Sequence, residues 1–182
     1  QARIAELEAV QARVEVLNQV GRGLNAARDD DELLRVMAQP AVEAGATGAV
    51  LTYIDLDETG EPEWIELVAL WRQEDKASTL LGSRIRLLEF PSSDPLLAVT
   101  NGPQFIADAA NDERVNENFA ALLSGIRGQA LVIIPLAPAG RWVGIVAFTW
   151  DKVHEFSQQE VEIYRALMNI ATPVVENRRL LA

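Results

Sequence analysis

Reactive side chains are scarce in this 182-residue chain, and that scarcity limits the chemistry open to it. It has no cysteine, which excludes disulfides, thiolate nucleophiles and Cys-ligated zinc. His154 is the single histidine, so a Ser-His-Asp triad has one candidate base. It lies in "DKVHEFS", which reads as an exposed turn, a poor setting for a general base or an axial haem ligand. Beside Asp151 or Glu155 it could touch a metal, but a solvated turn explains the same residues. "GRGLNA", Gly21 to Ala26, mimics the Gly-x-Gly-x-x-Gly/Ala nucleotide fingerprint. It follows no strand and sits inside a helical pattern, so it reads as chance or as close helix packing. The acidic runs at Asp29 to Glu32 and in "DLDET" from Asp55 lack the spacing of a calcium loop. Helix capping and loop solvation account for them. No catalytic residue and no metal site is expected.

Charge narrows the partners. A formal charge of −11, from 16 basic and 27 acidic residues, repels nucleic acid and anionic membrane surfaces. A hydrophobic content of 49% is that of a globular chain with a real core. The length suits one domain with elongated additions. The chain starts at Gln1 with neither a methionine nor a signal peptide, which reads as a cytoplasmic piece excised from a longer protein.

The elements that would position these residues follow from periodicity. From Gln1 to about Ala27, Leu7, Val10, Val14, Leu17, Gly21 and Leu24 step by three and four. That spacing fits either a coiled coil or an amphipathic surface helix. A second helix restarts at "RDDDELLRVM", capped within Asp29 to Asp31, and Pro40 is expected to kink or divide it. Two β-like runs, Ala49 to Asp55 and Trp64 to Trp71, flank the turn-rich "LDETGEPE". Arg84 to Phe90 could add a third strand. "SSDPLLAVTNG" can form a short helix capped at Ser93 or Asp94, and "PQFIAD" an edge strand. Asn111 to Ile126 offers another short helix. Phe156, Ser157, Glu160 and Val161 form a capping box with a hydrophobic staple, opening a last helix that Pro173 is expected to bend.

"ALVIIPLAPAGRWVGIVAFTW", Ala130 to Trp150, is long enough to suggest a membrane span but carries Pro135, Pro138, Gly140 and Arg141 near its middle. Each proline inside a helix costs about 3 kcal/mol. The halves are rich in Val, Ile, Phe and Trp, so the segment reads as a β-hairpin turning at Pro138 to Arg141. Neither strand alternates apolar with polar, so both faces must be covered. Leu131 and Ile133 point one way and Val132, Ile134 and Leu136 the other. The expected fold is α+β (α/β in the broad sense). It has a central antiparallel sheet of about five to six strands, the terminal helices on one face and a cap of loops and short helices on the other.

These residues resemble a GAF domain from about Val14 to Leu181. "LNQVGRGLNAARDDDELLRVM" resembles the family's opening helix and its restart. "ALVIIPLAPAGRWVGIVAF" resembles its hairpin, with Pro135 and Gly144 in the expected places, and "FSQQEVEIYRALMNIATPVVENRRLL" its closing helix. The resemblance implies a GAF/PAS-like fold and a non-catalytic sensory module. Such a module binds a small molecule or relays a signal, dimerises through its end helices, and drives a downstream output domain of histidine kinase (two-component) or cyclase type. The division implied is a connector helix at 1–27, a core at 28–156 and a C-terminal helix at 157–182. Without cysteine, a bilin cannot be thioether-linked by this chain, nor can it work as a GAF-type methionine sulfoxide reductase. "NDERVNE", Asn111 to Glu117, matches the "NKFDE" signature of cyclic-nucleotide binders poorly.

Trp64, Trp71, Trp142 and Trp150 lie on or beside the expected strands, where they either pack the core or wall a pocket. A pocket under the cap would be lined by Tyr53, Trp71, Phe105, Asp108, Asn111, Arg114 and Phe119, apolar with a few convergent polar groups. A homodimer would bury Leu7, Val10, Val14, Leu17, Leu24, Leu167, Val174 and Leu181. The rival reading is a structural dimerisation and relay unit with a closed interior and no ligand. An enzyme is the weakest of the three.

Overall fold

Local sequence rules place the helices in the computed structural model, which describes residues 2–74, 82–86, 102–117, 120, 123–124 and 127–181. Helix α1 spans Ala2–Ala26. Asp29 then accepts the backbone amide of Glu32 at 2.8 Å and starts α2, Asp30–Glu43. Pro40 does not divide this helix, which continues to Glu43. It lies one turn from the end, so little helix remains beyond it for a lost hydrogen bond to disturb. The C-terminal helix α3, Gln158–Leu181, begins at the expected capping box. Ser157 Oγ accepts the Glu160 amide at 3.1 Å, and the Ser157 amide donates to Glu160 at 3.4 Å. Pro173 lies inside α3 without ending it.

Six strands form one antiparallel sheet: β1 (Gly48–Leu56), β2 (Pro62–Arg72), β3 (Arg84–Arg86), β4 (Gln104–Ile106), β5 (Ala130–Leu136) and β6 (Gly144–Trp150). Their order is β3-β2-β1-β6-β5-β4. The apolar segment is the hairpin β5–β6, turning through Pro138–Gly140, and every residue of both strands is buried. It is flanked by β1 on one side and the short β4 on the other. Of the expected third strand, Arg84–Arg86 is formed, and residues 87–90 lie outside the described residues, as does the helix expected near Ser93 and Asp94. The helix expected over 111–126 is described only in part.

Alternation along the strands divides the interior in two. Ala49, Leu51, Val132, Ile134, Leu136, Val146 and Phe148 pack with Leu24, Leu33, Met37, Tyr164, Leu167 and Val175 of the three helices. Ile54, Leu131, Ile133 and Ile145 project the other way, against Ile106, Leu123 and Trp142, with Val115 packed at the margin. Burying each such aliphatic side chain contributes about 1.5–3 kcal/mol. Both faces are therefore covered. Among the described residues, no helix is long and apolar enough to cross a membrane.

Helices α1 and α3 lie side by side and run in the same direction. Arg13 of α1 pairs with Glu162 near the start of α3, while Arg178 near the end of α3 donates to the carbonyl of Ala27 at 3.0 Å. The first turns of α1 reach past the start of α3 by roughly 10 Å. "GRGLNA" is a packing device: a Cβ on Gly23 would stand 2.7 Å from Val36 of α2.

Candidate functional site

The residues expected to line one pocket lie on two different faces. Tyr53, Trp71 and Phe105 pack against the core beneath the helices, not under the cap. The Tyr53 hydroxyl donates to Asp30 of α2 at 2.5 Å. Phe105 meets Phe156 edge-on at 5.1 Å and lies 6.2 Å from Tyr164. Asp108, Asn111 and Arg114 do share one segment, just after β4; Asp108 and Asn111 bond to each other, and Arg114 bonds to Asp112 and to the edge of the sheet. Asp108 accepts the amide of Ala110 and the side chain of Asn111. Arg114 donates to both oxygens of Asp112, to Gln104 Oε1 at 3.3 Å and to the Phe105 carbonyl at 2.5 Å. That contact holds the Asp112 carboxyl below the usual carboxylate range. Arg114 thus clamps the cap segment to β4. Phe119 lies outside the described residues.

The terminal helices also correct the expected seam. Leu24 and Leu167 are buried in the domain's own core, and Val174 packs against that core half-buried, because the α1 stripe turns inward where α2 and α3 meet it. Leu17 is half-buried. Leu7, Val10, Val14 and Leu181 are exposed, and so is Ile4 at 62%.

His154, expected in an exposed turn, is four-fifths covered. Its ring stacks on Trp150, and Nε2 is 2.8 Å from Glu160 Oε2. The His154 amide donates to the Ala107 carbonyl at 3.0 Å, so the residue joins the segment just after β4, the end of β6 and the first turn of α3. Trp150 donates to the Ala44 carbonyl at 3.2 Å, and Trp142, in the cap-side cluster, to that of Gly144 at 3.0 Å.

A polar cluster at the opposite end of α3 was not anticipated. Arg179 Nη1 donates to the Ile54 carbonyl at 2.5 Å and to that of Val143 at 2.8 Å, and Nη2 donates to Asp55 at 2.7 Å. Its guanidinium stands 5.0 Å over the Tyr53 ring. Arg178 lies 3.5 Å from Asp30. Burial, then the Asp30 hydrogen bond, pushes the Tyr53 hydroxyl well above its ordinary value. The available signal was the Arg178–Arg179 pair in a last helical turn, where cations meet the negative end of the dipole. Asp57, in the acidic run, accepts Thr59 and Glu61 amides in its own turn.

A groove of about 280 Å³ lies between the β5–β6 turn and α3, lined by Pro135, Ala137, Pro138, Met168, Asn169, Thr172 and Pro173. Among the described residues, no three His, Asp or Glu side chains are grouped to hold a metal.

The fold is that of a GAF domain. The chain is similar to the chromophore-binding domain of an unusual bacteriophytochrome from R. palustris, with a TM-score of 0.70 and 13% identity over 91% of this chain. It spans 62% of that structure, less than two thirds of its length. It is similar over 92% of its length to the phycocyanobilin-bound GAF domain of a cyanobacterial phytochrome, at TM-score 0.70 and 15% identity, covering 96% of that chain. The GAF domain of a phosphoenolpyruvate-protein phosphotransferase from Coxiella burnetii aligns at TM-score 0.68 and 20% identity, over 92% of this chain and 95% of the other. No family model and no curated protein matches the sequence.

Proposed function

We propose that this chain is a non-catalytic regulatory module. It takes a small-molecule signal on the cap side of its sheet and passes it along α1 and α3 to an output domain of histidine kinase or cyclase type. The observation that carries this reading is the parallel packing of α1 and α3, tied by Arg13–Glu162 at one end and Arg178–Ala27 at the other. A module whose first and last helices run abreast in one direction can receive a displacement at one pole and deliver it at the other. A ligand shifts such a pair only by its differential affinity for two arrangements. One similar domain is bilin-bound. A bilin here would have to be held without a thioether, since the chain has no cysteine.

The same reading pairs two copies through the exposed stripe of Ile4, Leu7, Val10 and Val14. Thermal shift across a broad metabolite panel tests the ligand. At a hundred times Kd, a true ligand stabilises by about 2.7 kcal/mol, and a flat response across the panel sinks the sensory reading. Light scattering tests the seam, and a monomer at high concentration removes it.

The second reading, a ligandless dimerisation and relay unit, is favoured by one feature: among the described residues, Ile54, Ile133 and Trp142 on the cap side belong to one buried apolar cluster. It predicts the dimer without the thermal response.

A further inference from the structure

We propose that Arg84 and Arg179 compete for the single carboxylate of Asp55, coupling the outer strand β3 to the last turn of α3. Asp55 Oδ2 accepts from Arg84 Nη2 at 2.8 Å, and Oδ1 accepts from Arg179 Nη2 at 2.7 Å. Each guanidinium holds one oxygen, so neither makes the two-pronged fork that gives arginine–carboxylate pairs their strength.

The three residues belong to three elements. Asp55 stands on β1, just beyond Tyr53–Gly144, the last pair of the β1–β6 ladder. Arg179 closes the end of that ladder through the carbonyls of Ile54 and Val143. Arg84 belongs to β3 at the outside of the sheet and stacks 5.0 Å over Trp64 of β2.

Two cations on one anion repel each other, and an oxygen released by one is free for a second hydrogen bond from the other. Movement of β3 away from Asp55 therefore tightens α3 onto the sheet, and engagement of β3 loosens it. The coupling is negative in sign. Asp55 is one-third exposed and Arg84 half exposed, so solvent keeps the effect small. It is a property of the folded domain and operates whether or not a small molecule binds.

Arg86 supplies an internal control. It sits on the same strand and over the same indole, at 5.2 Å, but pairs with Glu63. Hydrogen exchange of the α3 C-terminal peptide, followed by mass spectrometry on the full chain, reads the latch. Arg84→Ala should slow exchange there by about two- to five-fold, the range open to a partly exposed ion pair. Arg86→Ala should leave it unchanged. Asp55→Asn should speed exchange, and adding Arg84→Ala to it should change nothing further. High salt should shrink the Arg84 effect. Exchange that is unchanged or faster in Arg84→Ala overturns the proposal, as does an Arg84 effect that survives in the Asp55→Asn background. If Asp55→Asn fails to fold, the contrast between Arg84→Ala and Arg86→Ala still decides.

Discussion

The imidazole of His154 lies flat on the indole of Trp150, with ring centroids 4.5 Å apart and planes within 5°. The same imidazole meets Glu160, the residue that closes the capping box with Ser157. One side chain thus ties the end of β6 to the first turn of α3. His154→Ala should lower stability by about 1–3 kcal/mol, summing a ring contact and a hydrogen bond. His154→Phe should fall between, keeping the stack and losing Glu160. Urea unfolding measures both, and parent-like stability in the alanine variant would mean that the stack is incidental.

Gly144 faces β1 so closely that a Cβ would stand 2.8 Å from the carbonyl oxygen of Thr52. That oxygen belongs to backbone and cannot yield without disturbing the β1–β6 ladder. Gly144→Ala should destabilise by about 1–3 kcal/mol. Gly21 of α1 has open space around it, and Gly21→Ala should stabilise by about 1 kcal/mol through helix propensity. Equal thermal shifts for the two variants would refute the distinction.

Leu24 and Leu7 share one helical stripe but not one fate. Leu24 is 2% exposed and Leu7 64%. Leu24→Ala should cost about 2–5 kcal/mol in unfolding. Leu7→Ala should cost under about 0.5 kcal/mol at concentrations where the chain is monomeric, and should weaken self-association in sedimentation experiments. A large loss of monomer stability from Leu7→Ala would place that face against its own domain.

Both tyrosines of the chain, Tyr53 and Tyr164, are held above their ordinary value of 10.0, mainly by burial, with Asp30 and Glu160 adding to the effect. A proton held more tightly in the folded state stabilises the fold below the unfolded value and ceases to do so as pH rises through the folded one. Stability should therefore fall above about pH 10, with tyrosinate absorbance rising together with unfolding. Phenolate forming near pH 10 while near-ultraviolet dichroism stays native would contradict this.

The Tyr164 hydroxyl is buried and has no hydrogen-bond partner among the described residues. Removing an unpaired buried hydroxyl relieves a desolvation penalty of about 1–3 kcal/mol. Tyr164→Phe should therefore be neutral or stabilising in chemical denaturation. A clear loss of stability would show that the hydroxyl has a partner in solution.

The sequence by itself determined the parts with a local signature. Continuous apolar runs around Pro138 and Gly140 required a hairpin covered on both faces, and β5 and β6 are buried throughout. Ser157 and Glu160 marked the start of α3, and the run Asp29 to Asp31 that of α2, where the structure picks Asp29 as the cap, because caps are made within one turn of chain. Periods of two and 3.6 gave the elements but not their phase against the core. Only the tertiary structure decided that Tyr53 and Phe105 look toward the helices, since that depends on strand register. It likewise decided which half of the α1 stripe is covered, since α2 and α3 arrive from elsewhere in the chain. The Asp55–Arg179 contact joins residues 124 positions apart. Nothing near either residue in the chain specifies its partner; the packing of α3 on the sheet brings its last turn to the end of β1.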